Sequence, residues 1–447
     1  MRQYQKKTCL ETLSVLQDAH AEVVRFATEC QNAEAAMLLE QCQQAAISVG
    51  TMIDQAEGDG TGEVHLLEAY CEQIYLFHED LQNGASVDAL QRKEQLDQLL
   101  QQASGGIAHR LPTSREVVFL PYKASMWDSL ESVWREASAD PDTTVRVIPI
   151  PYYDKNPDGS FQKLHYEGDQ FPKEVTVTHY MDYPLAQHHP EVIYIHNPYD
   201  EANHITSVHP AFYSAKLREM TEELIYIPYF ILGEIDPHNS LALEGAEKFI
   251  ALPGVVNAHR VIVQSENWRQ AYINVMIKHA GEDTRALWEE KITVGESPKL
   301  NRVRHLEESD YFLPEEWQRL TEKPDGSRKK IILYNTGITA LLENNDRMLD
   351  KISRVLAFFK ENSDEVTLLW RPHPLTGATL NAMRPQLQER YRQLVDSYQA
   401  EAWGIYDDSP DLPRAIAVSD AYYGDHSSLV QLYQETGKPI MIQNVYV

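Results

Sequence analysis

An arginine and a histidine set between prolines carry the strongest chemical signal in this chain. Arg371-Pro372-His373-Pro374 follows directly on the apolar run Val366-Thr367-Leu368-Leu369-Trp370. The prolines fix the backbone as it leaves a strand and postpone any helix, which delivers a guanidinium and an imidazole together at the strand's carboxyl end. A planar guanidinium fork suits phosphate oxygens, and an imidazole can donate to them or move a proton. The plainer outcome for the same residues is an arginine paired with a nearby aspartate and a histidine capping backbone.

A second candidate is Gly424-Asp425-His426-Ser427-Ser428, after Ala421-Tyr422-Tyr423. Two serines at a helix start bring hydroxyls and unpaired N–H groups to the positive end of the dipole, where phosphate needs no basic partner. Ordinary N-capping by Ser427 also accounts for the serines. Asn335-Thr336-Gly337, after Ile332-Leu333-Tyr334, is small and polar enough to pass close to a ligand, and is equally a plain strand exit. In the first half, Lys123 and Ser125 stand where a strand gives way to a helix. His196 follows Ile195, with His209 further on. These four are expected on the wall that faces the second half, or else in surface loops.

The elements that must position these residues are short continuous apolar runs. They lie at 117–120, 145–148, 192–195, 224–227, 261–263 and 292–294, then at 331–334, 366–370, 421–423 and 440–442. Helical patterns separate most of them, notably over 127–137, 346–361 and 379–399 and from Ser428. Apolar strands alternating with helices predict parallel sheets covered on both faces, in two Rossmann-like halves, 107–295 and 329–447. Residues 296–328, with Pro298, Pro314, Pro324 and Gly326, read as an irregular linker. In such sheets ligands bind beyond the carboxyl ends of the strands, where the candidates above fall.

Residues 1–106 are of another kind. None of the 23 prolines precedes Pro112, and apolar residues recur at helical spacing through Leu10, Leu13, Leu16 and Val23, then Met37, Leu38, Cys42, Ala45, Val49 and Ile53. Breaks fall at 58–62, at Asn83-Gly84 and at 104–106, which predicts a helical hairpin or small bundle. Its charged faces are solvated surface or a self-association surface. Cys9, Cys30, Cys42 and Cys71 all lie here, with no CxxC pair, and are expected as buried free thiols.

Composition excludes several classes. Forty Lys and Arg against 67 Asp and Glu give a net charge of −27, which rules out a nucleic-acid partner held by bulk charge. That charge divides as −11 over 1–106, −13 over 107–328 and only −3 over 329–447, so the candidate anion site falls in the least acidic third. No run of about 18 apolar residues and no signal-peptide pattern occurs, and the reading is a soluble cytoplasmic protein. There is no GxxxxGK[ST], no GxGxxG after the first strand of either half, and no HExxH. His188-His189 lacks carboxylate spacing, and neither a metal nor another cofactor is expected.

The second half resembles the CDP-glycerol glycerophosphotransferase family, the teichoic-acid polymerases and primases. The resemblance rests on KKIILYNTG at 329–337, WRPHP at 370–374 and VSDAYYGDHSSLVQLYQETGKPIMI at 418–442, with a weaker likeness from about 260. It implies a GT-B arrangement, with a CDP-activated donor in the second domain and a lipid-linked or polymer acceptor at the inner face of a membrane. Residue by residue, it implies donor phosphates at Arg371 and His373 and a pyrophosphate cradle at Ser427 and Ser428. Asp425 matches the family's Asp, and His426 stands where the family has Tyr. The family's Trp-His-Gly segment, which carries its catalytic base, has no counterpart, and the nearest slot, 225–230, holds no histidine. His196 or His209 then takes that role. The chain stops at Val447, directly after the last apolar run, where a GT-B enzyme has a returning helix; a shortened second domain, a fragment or a non-catalytic protein is expected. Three functions therefore stand: glycerophosphate transfer from CDP-glycerol, nucleotide-sugar glycosyl transfer on the same scaffold, and a non-catalytic nucleotide- or partner-binding scaffold.

Overall fold

A computed structural model describes residues 1–83, 88–443 and 445. The break expected at Gly84 and the chain end at Val447 lie outside the described residues. The chain divides into two compact units, one of residues 1–116 with 141–144 and one of 117–140 with 145–447.

The first unit is built on four helices: α1 (Gln3–Thr28), α2 (Asn32–Glu57), α3 (Gly62–Gln82) and α4 (Ala89–His109). Each packs on two of the others, α1 and α3 both lying against α2 and α4. Of the apolar residues read from the sequence, Leu13, Leu16, Val23, Cys42, Val49 and Ile53 are core residues and Leu10, Leu38 and Ala45 pack at its margin, whereas Met37 is exposed; Leu39, Leu67, Ile74, Leu96 and Leu100 complete the buried stripe. Burying each such side chain contributes about 1.5–3 kcal/mol, which offsets the ordering entropy of long helices. Thr61 caps α3 by accepting from the Val64 N–H at 3.4 Å, and Asp88 caps α4 by accepting from Leu90 and Gln91 at 3.1 Å. One buried polar group ties three helices. His20 on α1 meets Asp97 of α4 and the Tyr70 hydroxyl of α3, both at 2.7 Å. All four cysteines are free, as thiols of differing exposure. Cys9 and Cys42 are buried and Cys71 partly so, whereas Cys30 is exposed because it sits at φ +60 in the turn after α1. None of the helices described is long and apolar enough to cross a membrane.

In the second unit the sheets are mainly parallel. The first strands are β1 (Arg115–Leu120) and β2 (Thr143–Val147). A short excursion forms β3 (Tyr152–Lys155) and β4 (Phe161–His165), followed by β5 (Val192–Ile195) and β6 (Thr206–Val208). Then come β7 (Glu223–Tyr226), β8 (Arg260–Val263) and β9 (Ile292–Val294). Their order is β2-β1-β5-β7-β8-β9, while β4-β3-β6 is a separate antiparallel sheet that the sequence pattern did not reveal. A second parallel sheet contains β10 (Lys330–Thr336), β11 (Val366–Pro372), β12 (Ile405–Tyr406), β13 (Ala421–Gly424) and β14 (Ile440–Ile442), in the order β12-β11-β10-β13-β14.

The strands are apolar without alternation because both faces are covered. In the first sheet Val118, Leu120, Ile193, Ile195, Leu224 and Tyr226 enter one core, while Val117, Phe119, Val192 and Ile225 enter the opposite one. Residues 296–328, expected to be irregular, contain helices Pro298–Arg304 and Glu315–Thr321. Their prolines open helices instead of interrupting them: Pro298 occupies the first turn, where a missing N–H costs nothing, and Pro314 is an N-cap. Val303, Leu300, Trp317 and Leu320 pack into the core under the second sheet.

Candidate functional site

The carboxyl ends of β10, β11 and β13 are tied into one network. Asn335, buried, donates through Nδ2 to the Arg371 carbonyl at 2.9 Å and accepts through Oδ1 from the Ser427 hydroxyl at 2.9 Å. Thr336 accepts from the Trp370 indole at 3.2 Å, and its carbonyl accepts from the His373 N–H at 3.0 Å. Asp425, also buried, accepts from the Gly337 N–H at 2.7 Å and forms an ion pair with Lys351, which is itself 1% exposed, at 2.5 Å. Gly424 has φ +150, and a Cβ there would stand 2.2 Å from the Asn335 carbonyl oxygen, so no other residue fits this close crossing.

Ahead of this network lies a cavity of about 250 Å³. Arg371, His373, Tyr406 and Asp407 line it from the second sheet, Lys123 and Ser125 from the end of β1, and Glu167 from the segment after β4. The Arg371 guanidinium is paired with Asp407 and donates to the Ser409 carbonyl at 2.8 Å. His373 accepts the Leu375 N–H on Nδ1 at 3.1 Å, which places its ring proton on Nε2. Burial pushes its pKa down to about 4, helped by the nearby charges of Lys299 and Lys123, so the imidazole is neutral near pH 7. Lys123 donates to the Tyr152 hydroxyl at 2.7 Å and lies 3.5 Å from Glu167. Burial lowers its pKa, against the attraction of Glu167 and Asp154. Tyr152 donates to Glu167 at 2.5 Å, and the Ala124 N–H donates to the other oxygen of that carboxylate at 2.8 Å. Two cations and one neutral N–H donor thus converge from opposite walls, with exposed Asp408 at the rim. Such a cavity can hold an anion between cations, and its carboxylates can accept from hydroxyls.

The sequence-derived residues separate into four groups. Arg371, His373, Lys123 and Ser125 line the cavity together. Asn335, Thr336, Gly337, Asp425 and Ser427 form the supporting network, with their polar atoms engaged as above; the Ser427 hydroxyl also caps the helix Ser428–Gln434 by accepting from Leu429 at 3.3 Å. His426 and Ser428 are exposed and are absent from the cavity lining.

The fourth group is the two histidines expected to supply a base, and here the structure corrects the expectation. His196 is fully buried, accepts the Tyr122 N–H on Nε2 at 3.1 Å and meets the Ser129 hydroxyl through Nδ1 at 2.8 Å. Because the Ser129 hydroxyl donates to the Met126 carbonyl at 2.7 Å, Nδ1 carries the proton, and neither ring nitrogen remains for a substrate. Burial holds its pKa down at about 3. His209 accepts the Ala211 N–H at 3.2 Å as a cap and does not line the cavity.

Sequence reasoning missed Glu167, Asp407 and Lys351. Asp407 had a signal, since Asp407-Asp408-Ser409-Pro410 follows the short apolar pair Ile405-Tyr406 as a strand exit does. Among the described residues, no group of three or more His, Cys, Asp or Glu side chains is arranged to hold a metal.

No family model matches the chain, and no curated protein matches it. Among solved structures it is similar to S. aureus MnaA in complex with UDP, with a TM-score of 0.42 and 10% identity over 73% of this chain and 78% of that one. It is similar to the wall teichoic acid polymerase TagF, with a TM-score of 0.40 and 14% identity over 86% and 79%. A third similarity is to the UDP-GlcNAc 2-epimerase of Neisseria meningitidis bound to UDP-GlcNAc, with a TM-score of 0.39 and 10% identity over 73% and 82%.

Proposed function

We propose that this chain is a transferase with a GT-B arrangement, acting on a nucleotide-activated donor whose phosphates lie between Arg371, His373 and Lys123. The observation that carries the reading is the convergence of these three groups, from two different sheets, on one cavity of about 250 Å³. CDP-glycerol is the donor that the RPHP and Ser-Ser segments favour.

In that reaction an acceptor hydroxyl oxygen forms a bond to the glycerol-bearing phosphorus as the bond to the CMP phosphate breaks. Arg371 and the His373 Nε2–H stabilise charge on the departing phosphate, and Lys123 steadies the transferred group. The hydroxyl proton passes to Glu167, a carboxylate in the role an aspartate serves in kinases. Glu167 thereby takes the place first given to His196 or His209.

Thermal-shift titration of the purified protein with CDP-glycerol, CMP, UDP and UDP-sugars tests this. A cytidine donor at about 100 times its Kd adds about 2.7 kcal/mol of stability, a shift of several degrees. Stabilisation by uridine nucleotides alone moves the donor class to nucleotide sugars, and no shift with any of them overturns the reading. The engagement of both nitrogens of His196 also favours a second reading, donor binding without transfer. Donor-dependent stabilisation with no CMP release in the presence of either glycerol or neutral oligosaccharides supports that one.

A further inference from the structure

A row of aromatic contacts, outside the cavity, starts on the small antiparallel sheet and runs on to rings beyond it, of which Tyr180 and Phe212 are partly buried against the core. Phe161 of β4 stacks on Tyr153 of β3, with centroids 4.6 Å apart and planes 5° from parallel. Tyr153 in turn stacks on His209 at 5.8 Å, and His209 meets Phe212 edge-on at 6.3 Å. The row continues from Phe212 to Tyr180 at 6.0 Å, from Tyr180 to His179 at 4.6 Å, and ends on Tyr166, 4.8 Å from His179. None of these rings is fully buried, Phe161 is 43% exposed, and Met181 beside them is 74% exposed. Alternation along β3 explains the placement. Tyr152 faces inward to the Lys123 and Glu167 network, so its neighbour Tyr153 must face the other way.

We propose that this row is a docking track for a neutral oligosaccharide chain, which serves as the acceptor of the transfer. This rests on the donor reading above and adds the acceptor's class to it.

Three observations support a neutral sugar. Planar rings with polar edges offer flat faces to the C–H surfaces of a sugar ring and hydrogen-bonding groups at its rim. Both histidines accept a backbone N–H on Nδ1, His179 from Met181 and His209 from Ala211, each at 3.2 Å, which leaves the N–H on Nε2. The charged neighbours of Tyr166 are carboxylates: burial raises its pKa first, and Asp169 and Asp182 add to that. Carboxylates accept from sugar hydroxyls and repel a polyanion, so a phosphate polymer or nucleic acid is disfavoured here. The row is also continuous with the donor site, because Tyr166 is followed directly by Glu167, which lines the cavity.

The test is binding of the full-length protein to an array of neutral and anionic oligosaccharides, with sedimentation velocity alongside. At least one neutral glycan is expected to bind wild type and to lose tenfold or more in affinity in the double variant Phe161→Ala, Tyr153→Ala. Tyr153→Phe, which keeps the stacking face, should retain binding, and the donor-induced thermal shift should be the same in all three proteins. Binding of no neutral glycan, equal binding by the double variant, or preference for phosphate polymers overturns the proposal. So does concentration-dependent self-association that the double variant abolishes, which would make the row an interface between copies. Because donor stabilisation is measured separately, failure of the track and failure of the donor reading remain distinct.

Discussion

Arg371 and Asp407 form a buried ion pair at the carboxyl ends of adjacent strands, with side chains only 6% and 1% exposed. Breaking such a pair leaves a buried charge without its partner, at a cost of about 3–5 kcal/mol. Arg371→Ala is therefore expected to lower stability by that amount in urea denaturation and to abolish donor stabilisation. Asp407→Asn, which keeps the shape of the partner, should retain more of both.

Glu167→Gln separates binding from chemistry. It removes proton acceptance while keeping the side chain's shape, and its one amide oxygen can accept from Tyr152 or from Ala124 but not from both. Transfer, followed as CMP release, is expected to fall by about 100-fold or more, with the donor-induced thermal shift retained. An unchanged rate would remove Glu167 from the reaction.

His196 belongs to the core of the first sheet, so His196→Ala should be a stability variant. Orphaning the Tyr122 N–H costs about 1–3 kcal/mol, and the Ser129 hydroxyl loses the bond it accepts while keeping the one it donates to Met126, in addition to the cavity left behind. Equilibrium unfolding should show this loss, while turnover per folded molecule stays near wild type.

Both inner histidines also shape the pH response. Their folded pKa values, about 3 for His196 and about 4 for His373, lie below the unfolded value of about 6.5. The folded state therefore binds fewer protons, and the stability they contribute is present above pH 6.5 or so and lost as pH falls. Asp200 acts in the opposite sense, because burial raises its pKa to about 6 and its contribution is lost as pH rises from about 4 to 6. Stability from urea curves should show a weaker decline between pH 7 and 5 in His196→Gln than in wild type. Parallel curves would exclude His196 as a source of the slope.

Lys351→Met should cost about 3–5 kcal/mol through the loss of its pair with Asp425, whose two side chains are 1% and 4% exposed. Adding Asp425→Asn should recover part of that, read as a coupling energy in a double-mutant cycle.

The parallel strands were legible in the sequence because burial on both faces writes each as an unbroken apolar run. The antiparallel sheet was not, for the same physical reason reversed. β6 is three residues long, and β4 is exposed along most of its length, so no apolar signal marks either. Arg371 and His373 could be found because the motif is local. Lys351 and Glu167 could not, because each acquires its meaning only from a partner far away in sequence: Asp425 for Lys351, and Tyr152 and Ala124 for Glu167. His196 shows the converse error, since a strand-end position placed it correctly in the sheet but gave no sign that Tyr122 and Ser129 would engage both nitrogens.

The helix Pro298–Arg304 gives the cleft a hinge side. Lys299 pairs with Asp128 at 2.9 Å with both side chains 10% exposed, and Arg302 reaches Glu131 at 3.3 Å, while Val303 of the same helix is buried in the core of the other sheet. A second tie between the halves is a single exposed hydrogen bond from Asn381 to Gln162, at 2.9 Å. A bond of that kind nets about 0.5–1.5 kcal/mol, well below the cost of parting a buried ion pair. Of these two ties, the buried one at Lys299 and Asp128 is therefore the costlier to part.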